Sequence, residues 1–294
     1  MGASRMARNE AGGPEGRPEA QAPSGKAAAF LKRLVSGVIY VAVNVVCILL
    51  GSIPTACAMA LTAGLACGEF YRLMREDAKL PNQAVGLCFA AAFPLVALVN
   101  AVYIIGLVFV FLVVLGIWYV TNQRVRITDL AITIFGALYT GLMLSSVVLI
   151  RDAALPGMGA TWLTIGVMAS VWVNDSFAYL LGSAFGRHPL VPKISPKKSW
   201  EGMIGGLAGS VLVWCLMLLL PETGLTLPVT VTAGLLCGVT GVVGDLVESR
   251  IKRGAGVKDS GNLMPGHGGM LDRSDSMLFV SVTAYFILRM TGVI

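Results

Sequence analysis

Charge is scarce in this chain of 294 residues: only 13% of its positions are Asp, Glu, Lys or Arg, where soluble domains carry about 25%. With 56% hydrophobic residues and a mean hydropathy of +0.78, the composition excludes an ordinary soluble domain and points to a membrane protein. The six cysteines lie singly within apolar runs and make no CxxC pair. That pattern suggests neither a zinc site nor a disulfide framework and leaves them as small hydrophobic filler. No G-x-x-x-x-G-K-S/T segment is present, so an ordinary P-loop NTPase is excluded. Glycine, by contrast, is plentiful at 35 residues, and it is more frequent in transmembrane helices than in soluble ones.

Residues 1–25 are rich in Gly, Pro, Ala, Glu and Arg without apolar periodicity. Such a segment cannot bury enough surface to offset its ordering entropy, which predicts a disordered cytoplasmic tail over 1–30. Met6 stands where a myristoylation motif needs Ser or Thr. The first apolar run, starting near Leu34, lacks the small-x-small exit of a cleaved signal peptide.

Nine apolar runs follow, over 34–51, 53–70, 83–101, 102–121, 129–150, 162–184, 203–220, 229–247 and 277–294. Each is long enough to cross about 30 Å of hydrocarbon. Loop charge tests that count, because cytoplasmic loops collect Lys and Arg. The tail ends with Lys26, Lys32 and Arg33; loop 71–82 has Arg72, Arg75 and Lys79; loop 122–128 has Arg124 and Arg126. Loop 185–202 and loop 248–276 each carry four or more basic residues. The intervening turns are poor: none near 52 and 101, only Arg151 beside Asp152 in 151–161, and only Glu222 in 221–228. One span missing or doubled would break the alternation. The expectation is therefore an all-α, polytopic integral membrane protein of about nine transmembrane helices with a cytoplasmic N-terminus. Five spans fall in 31–160 and four in a catalytic region over 161–294.

Three polar groups stand out against this background. Asn174-Asp175 sits inside "MASVWVNDSFAYLLGSAFG", where an Asp costs about 2.5–3.5 kcal/mol on the insertion scale. Such a residue faces a cavity or pairs with a partner and marks a functional site; the plainer alternative is an interhelical hydrogen bond that only fixes packing. The second group is "KISPKKSWEG" (193–202). Lys197 and Lys198 with Ser195 and Ser199 could surround an anion, the ammonium groups as point charges and the hydroxyls as donors. A positive-inside loop resting on lipid headgroups explains the same residues without chemistry.

The third, "GDLVESRIKRGAGVKDSGNLMPGHGGMLDRSD" (244–275), is the most informative. Asp245 closes the eighth run, and Glu248 and Lys252 are spaced for a helical ion pair. Asp272 and Asp275 are three apart, on one face of the helix that becomes the ninth run. Acids near a helix start suit its dipole, but that leaves Asp245 without a reason. Carboxylates gathered beside phosphate are how Mg²⁺ is usually held. Lys252, Arg253, Lys258 and Arg273 would then neutralise a polyphosphate, and Gly266, Gly268 and Gly269 would let the backbone meet it ahead of a helix N-terminus. His267 either donates to phosphate or braces the loop, and it lacks the His or Cys neighbours that zinc needs. These residues describe a Mg²⁺-dependent phosphoryl or nucleotidyl transfer site facing the cytoplasm.

The same stretch resembles the signature of the phosphatidate cytidylyltransferase (CDP-diacylglycerol synthase) family. The matching positions are Ser249, Ile251, Lys252-Arg253, Lys258-Asp259, Gly261, His267-Gly268-Gly269, Met270, Asp272-Arg273 and Asp275, spread over 27 residues. Met264 and Ser274 depart from the usual residue types but leave the charged positions intact. The similarity extends through "GDLVES", "SPKKSWEG" and "NDSFAY", covering roughly 170–276, whereas the N-terminal runs match only in being hydrophobic.

The resemblance implies the reaction CTP + phosphatidate → CDP-diacylglycerol + pyrophosphate, in a bacterial inner membrane. It implies that Asp245 and Asp272 ligate Mg²⁺, with Asp275 supporting them or holding a second cation. Lys197, Lys198, Lys252, Arg253 and Lys258 would lie along the triphosphate and the lipid phosphate, with Lys252 and Lys258 counted as catalytic. Arg273, His267, Ser195 and Ser199 would contact substrate, and Asn174 and Asp175 would line the cavity floor. Membrane lipids are expected partners and nucleic acid is not; a homodimer stays open. A CTP-dependent lipid kinase or polyprenol-type transferase and an ion-coupled transporter are the competing classes. Charge gathered at one face, with no internal repeat, counts against the transporter.

Overall fold

A backbone surrounded by hydrocarbon has to satisfy every N–H and C=O within its own segment, so the apolar runs become helices. The computed structural model describes residues 23–77, 79–261, 263 and 268–294. Among them nine helical rods follow one another. These are α1 (Pro23–Leu50), α2 (Ser52–Glu76), α3 (Gln83–Val96), α4 (Ala101–Thr121) and α5 (Ile127–Arg151, with a π turn over Leu138–Leu142). After α6 (Gly159–Phe185) comes an antiparallel hairpin of β1 (Pro189–Val191) and β2 (Ser195–Ser199), then α7 (Trp200–Leu218), α8 (Leu227–Gly254) and α9 (Leu271–Met290).

Each rod overlies one predicted run, and the two tightest predicted breaks are present. The first falls at Gly51, whose φ of 123° is a conformation that glycine adopts without a Cβ penalty. The second ends at Asn100, whose side chain accepts from the Val102 amide at 3.0 Å and caps α4. The outer boundaries differ from the hydropathy limits. Helix α1 starts at Pro23, within the expected tail; α2 runs to Glu76, α8 to Gly254, and α9 begins at Leu271. Residues 1–22 lie outside the described residues. Helix ends follow hydrogen bonding and caps, not the end of the apolar run, so the first charged residues of the signature are helical. Among the described residues the hairpin is the β element added to the all-α expectation.

Five rods, α2, α4, α5, α7 and α8, are long and apolar enough to cross a membrane. Helices α6 and α9, which carry Asp175 and the Asp272–Asp275 acids, are not among them. Helix α4 buries Ile104, Phe111 and Leu115 while Val102, Ile105 and Phe109 are exposed. A helix apolar on every face needs apolar surroundings, and the chain is an all-α integral membrane protein.

The C-terminal helices pack in chain order, α6 on α7, α7 on α8 and α8 on α9, and α9 also touches α2 and α5. Lipid supplies no hydrophobic drive between helices, so close packing runs along small residues. Gly202, Gly205, Gly206 and Gly209 of α7 all lie against α6. On α8, a Cβ at Gly244 would lie 2.5 Å from the Asp275 carbonyl oxygen and 3.1 Å from the Ser276 Cα. That close approach sets Asp245 beside the start of α9. Gly244→Ala is expected to force the two helices apart and lower stability by about 1–3 kcal/mol. The check is the melting temperature of the detergent-solubilised protein; an unchanged value would show that the α8–α9 contact has room to spare.

Candidate active site

A cavity of about 630 Å³ opens between α6, the hairpin, α8 and α9. Helix α6 contributes Asn174 and Asp175, β2 contributes Lys197, Lys198 and Ser199, α8 contributes Asp245, and α9 contributes Asp272, Arg273 and Asp275. The fold thus brings together all three polar groups that the sequence singles out.

Their environments differ. Asp175 is exposed to the cavity, while Asn174, one residue earlier, is 2% exposed. A Cβ on Gly206 would lie 2.8 Å from the Asn174 Oδ1, an oxygen without a hydrogen-bond partner among the described residues. Asn174 therefore touches the cavity from within the α6–α7 packing. On α8, the Asp245 Oδ2 pairs with the Lys198 Nζ at 2.5 Å, and its Oδ1 accepts from the Ser249 hydroxyl at 3.1 Å.

The hairpin is held at both ends. The Ser199 Oγ accepts from the Gly202 amide at 3.1 Å and caps α7, so this hydroxyl serves the helix start as well as the cavity wall. The Glu201 carboxylate pairs with the His188 Nδ1 at 2.6 Å and accepts from the Arg187 amide at 3.2 Å. Ser195 is tied into the strand register opposite Val191.

Asp272 is engaged on every side. Its Oδ1 pairs with the Lys252 Nζ at 2.5 Å. Its Oδ2 accepts from the Ser260 amide and hydroxyl, both at 2.9 Å, and from the Gly269 amide at 2.7 Å. Lys252 also pairs with the buried Glu248, the helical ion pair that their spacing predicts, and so points between two acids instead of into the cavity. Ser195, Lys252, Arg253 and Lys258 are not brought to the cavity wall. Arg253 is exposed and donates to the Val257 carbonyl at 3.2 Å, and Lys258 is exposed. His267, with Gly266, lies outside the described residues.

Among the described residues no three His, Cys, Asp or Glu side chains converge as a ready cage for a metal ion. Asp275, Asp245 and Asp175 nevertheless line the same cavity, with Arg273 and Lys198 on its wall. An oxygen-only, acidic donor set of this kind suits a hard cation whose remaining ligands are substrate phosphate and water.

One contributor was missed from the sequence. Glu69, inside the second apolar run, accepts hydrogen bonds from the start of α9, and Arg72 donates to the Ser260 carbonyl. An acid within an apolar run is the same signal that marks Asp175, and it was available in "ACGEFYRL".

Residues 31–291 match the family described as the cytidylyltransferase family. The phosphatidate cytidylyltransferase of Synechocystis sp. is 33% identical, with the match covering 87% of this chain and 96% of the relative. That of Bacillus subtilis is 29% identical over 88% of this chain and 97% of the relative. The chloroplastic phosphatidate cytidylyltransferase 5 of Arabidopsis thaliana is 40% identical over 57% of this chain. The match spans 47% of that plant protein, about half its length. A family match across nearly all the helices, joined to similarity with the Synechocystis relative over 96% of its length, leaves one assignment: the chain belongs to the cytidylyltransferase family.

Proposed function

We propose that this protein transfers the cytidylyl group of CTP to phosphatidate, giving CDP-diacylglycerol and pyrophosphate. In this reading it works at the cytoplasmic face of a bacterial inner membrane, with about nine crossings as the apolar runs predict, five of them on rods long and apolar enough by themselves, and the N-terminus inside. The observation that carries the reading is the meeting of Lys197, Lys198 and Arg273 with Asp175, Asp245 and Asp275 around one cavity at the ends of membrane helices. The names of the relatives supply the cytidylyl group and its acceptor, and the alternation of basic loops supplies the orientation.

Phosphatidate brings its own ionised phosphate, so no nucleophile is required from the protein. A phosphate oxygen attacks the α-phosphorus of CTP, a P–O bond forms, the bond to the β-phosphate breaks, and pyrophosphate leaves with the bonding electrons. The task left to the chain is to hold two anions in line and offset their charge. Lys197, Lys198 and Arg273 do this from the hairpin and from α9. Substrate phosphate competes with Asp245 for Lys198, which draws that ammonium toward the reacting groups. Asp245, with Asp275 and Asp272, would hold Mg²⁺; because the Asp272 oxygens already take four donors, Asp245 and Asp275 are the freer ligands. When bound, the cation would polarise phosphate oxygens as a Lewis acid.

The test follows the phosphorus. CTP labelled at the α-phosphorus is expected to pass label into lipid only when phosphatidate is present, with pyrophosphate as co-product. Label reaching lipid from the γ-position alone would replace this reading with a lipid kinase.

A further inference from the structure

The signature loop is clamped from outside the C-terminal helices. Glu69, on α2, accepts from the Met270 amide through Oε1 and from the Leu271 amide through Oε2, each at 2.9 Å. Its Oε2 lies 2.9 Å from the Ser260 hydroxyl, which stands equally far from the Asp272 Oδ2. One turn along α2, the Arg72 Nη2 donates to the Ser260 carbonyl at 2.5 Å. Both ends of the loop, 260–261 and 269–271, therefore rest on two side chains of one helix. A side chain at Gly261 or Gly269 would run into the Glu69 carboxylate, so glycine is what allows this closure. Glu69 also places a negative charge at the first free N–H groups of α9, where the helix dipole favours it. Within hydrogen-bond distance of that contact begins the cavity wall of Asp272, Arg273 and Asp275.

We infer that Glu69 is a positioning residue for the active site. Acting through Ser260 and the start of α9, it fixes the place of Asp272 in the site and the direction in which Arg273 meets the substrate phosphates. The N-terminal helices are then part of the catalytic apparatus and not only an anchor. The buried amides of Met270 and Leu271 have no equivalent pair of acceptors if Glu69 loses its charge, because a glutamine offers one oxygen where the carboxylate offers two. Misplacing groups that orient phosphate costs rate even when the fold stands.

The kinetic arm of the test rests on the cytidylyl-transfer reading; the exchange arm does not. Glu69→Gln is expected to lower kcat per folded molecule by about 10- to 100-fold, with the KM for phosphatidate within about twofold of wild type. Ser260→Ala is expected to lower kcat as well, and the double variant to be no worse than the more severe single one, since both act through one contact. Hydrogen exchange on the same preparations is expected to show the Met270–Leu271 amides of Glu69→Gln opening faster, with α6 and α7 unchanged. Unaltered protection at Met270 and Leu271, additive losses in the double variant, or turnover within twofold of wild type in Glu69→Gln would each overturn the inference. A wild-type protein that transfers no cytidylyl group would sink the functional reading, and the exchange comparison would still decide whether the clamp exists.

Discussion

Asp272→Asn is expected to lose turnover and stability together. The substitution keeps size and shape but replaces two acceptor oxygens with one oxygen and one NH₂ group. Donors face both sides of the native carboxylate: Lys252 on Oδ1, and the Ser260 amide, Ser260 hydroxyl and Gly269 amide on Oδ2. Either rotamer of the amide therefore turns its N–H groups against donors. Lys252, only 13% exposed on its side chain, is left with Glu248 alone. Breaking a buried ion pair on one side costs about 3–5 kcal/mol, and loss of an oriented charge at the site lowers rate by about 10²–10³-fold. Measuring melting temperature without nucleotide, beside transfer rate, separates the two effects. A variant that keeps the wild-type melting temperature while losing turnover would show that this carboxylate is held for substrate or cation and that the fold stands without it.

The two losses have different roots in the sequence, and so did their legibility. Asp175, Asp245 and Asp275 were readable because charge inside or beside an apolar run is costly and needs a reason. The resemblance then tied the last two to one another, Asp245 through "GDLVES" and Asp275 through the 27-residue signature. The direction of each side chain was not readable. Lys252 and Lys258 look alike in a basic loop, yet the fourfold spacing from Glu248 turns Lys252 inward while Lys258 stays exposed. Ser199 has the residue type for an anion donor and for a helix cap, and the start of α7 uses its oxygen as a cap. Glu69 meets Ser260 across 191 positions, a pairing that no local spacing encodes. Helix boundaries erred for a related reason: α8 continues to Gly254 because its hydrogen bonds continue, whatever the hydropathy of the residues.

The ion pair between Lys198 and Asp245 separates a chemical role from a structural one. Its partners lie 2.5 Å apart with side chains 26% and 32% exposed, and at such exposure a pair is worth at most about 1 kcal/mol. Lys198→Ala and Asp245→Asn are therefore each expected to move the melting temperature by no more than about 2–4 °C. Turnover is expected to fall by about 10²–10³-fold in each, because in the proposed reaction the ammonium would meet the phosphates and the carboxylate is among the freest acids of the cavity. Exchanging the charges, Lys198→Asp with Asp245→Lys, restores the attraction between hairpin and α8. It also places a carboxylate where, in the proposed reaction, the lipid or nucleotide phosphate would sit, and removes the acid that would hold a cation. The exchanged variant is expected to melt like wild type and remain as inactive as the single variants. Recovery of turnover to within about tenfold of wild type would instead make the pair a brace between the hairpin and α8, and would move the phosphate-handling charge to Lys197 and Arg273.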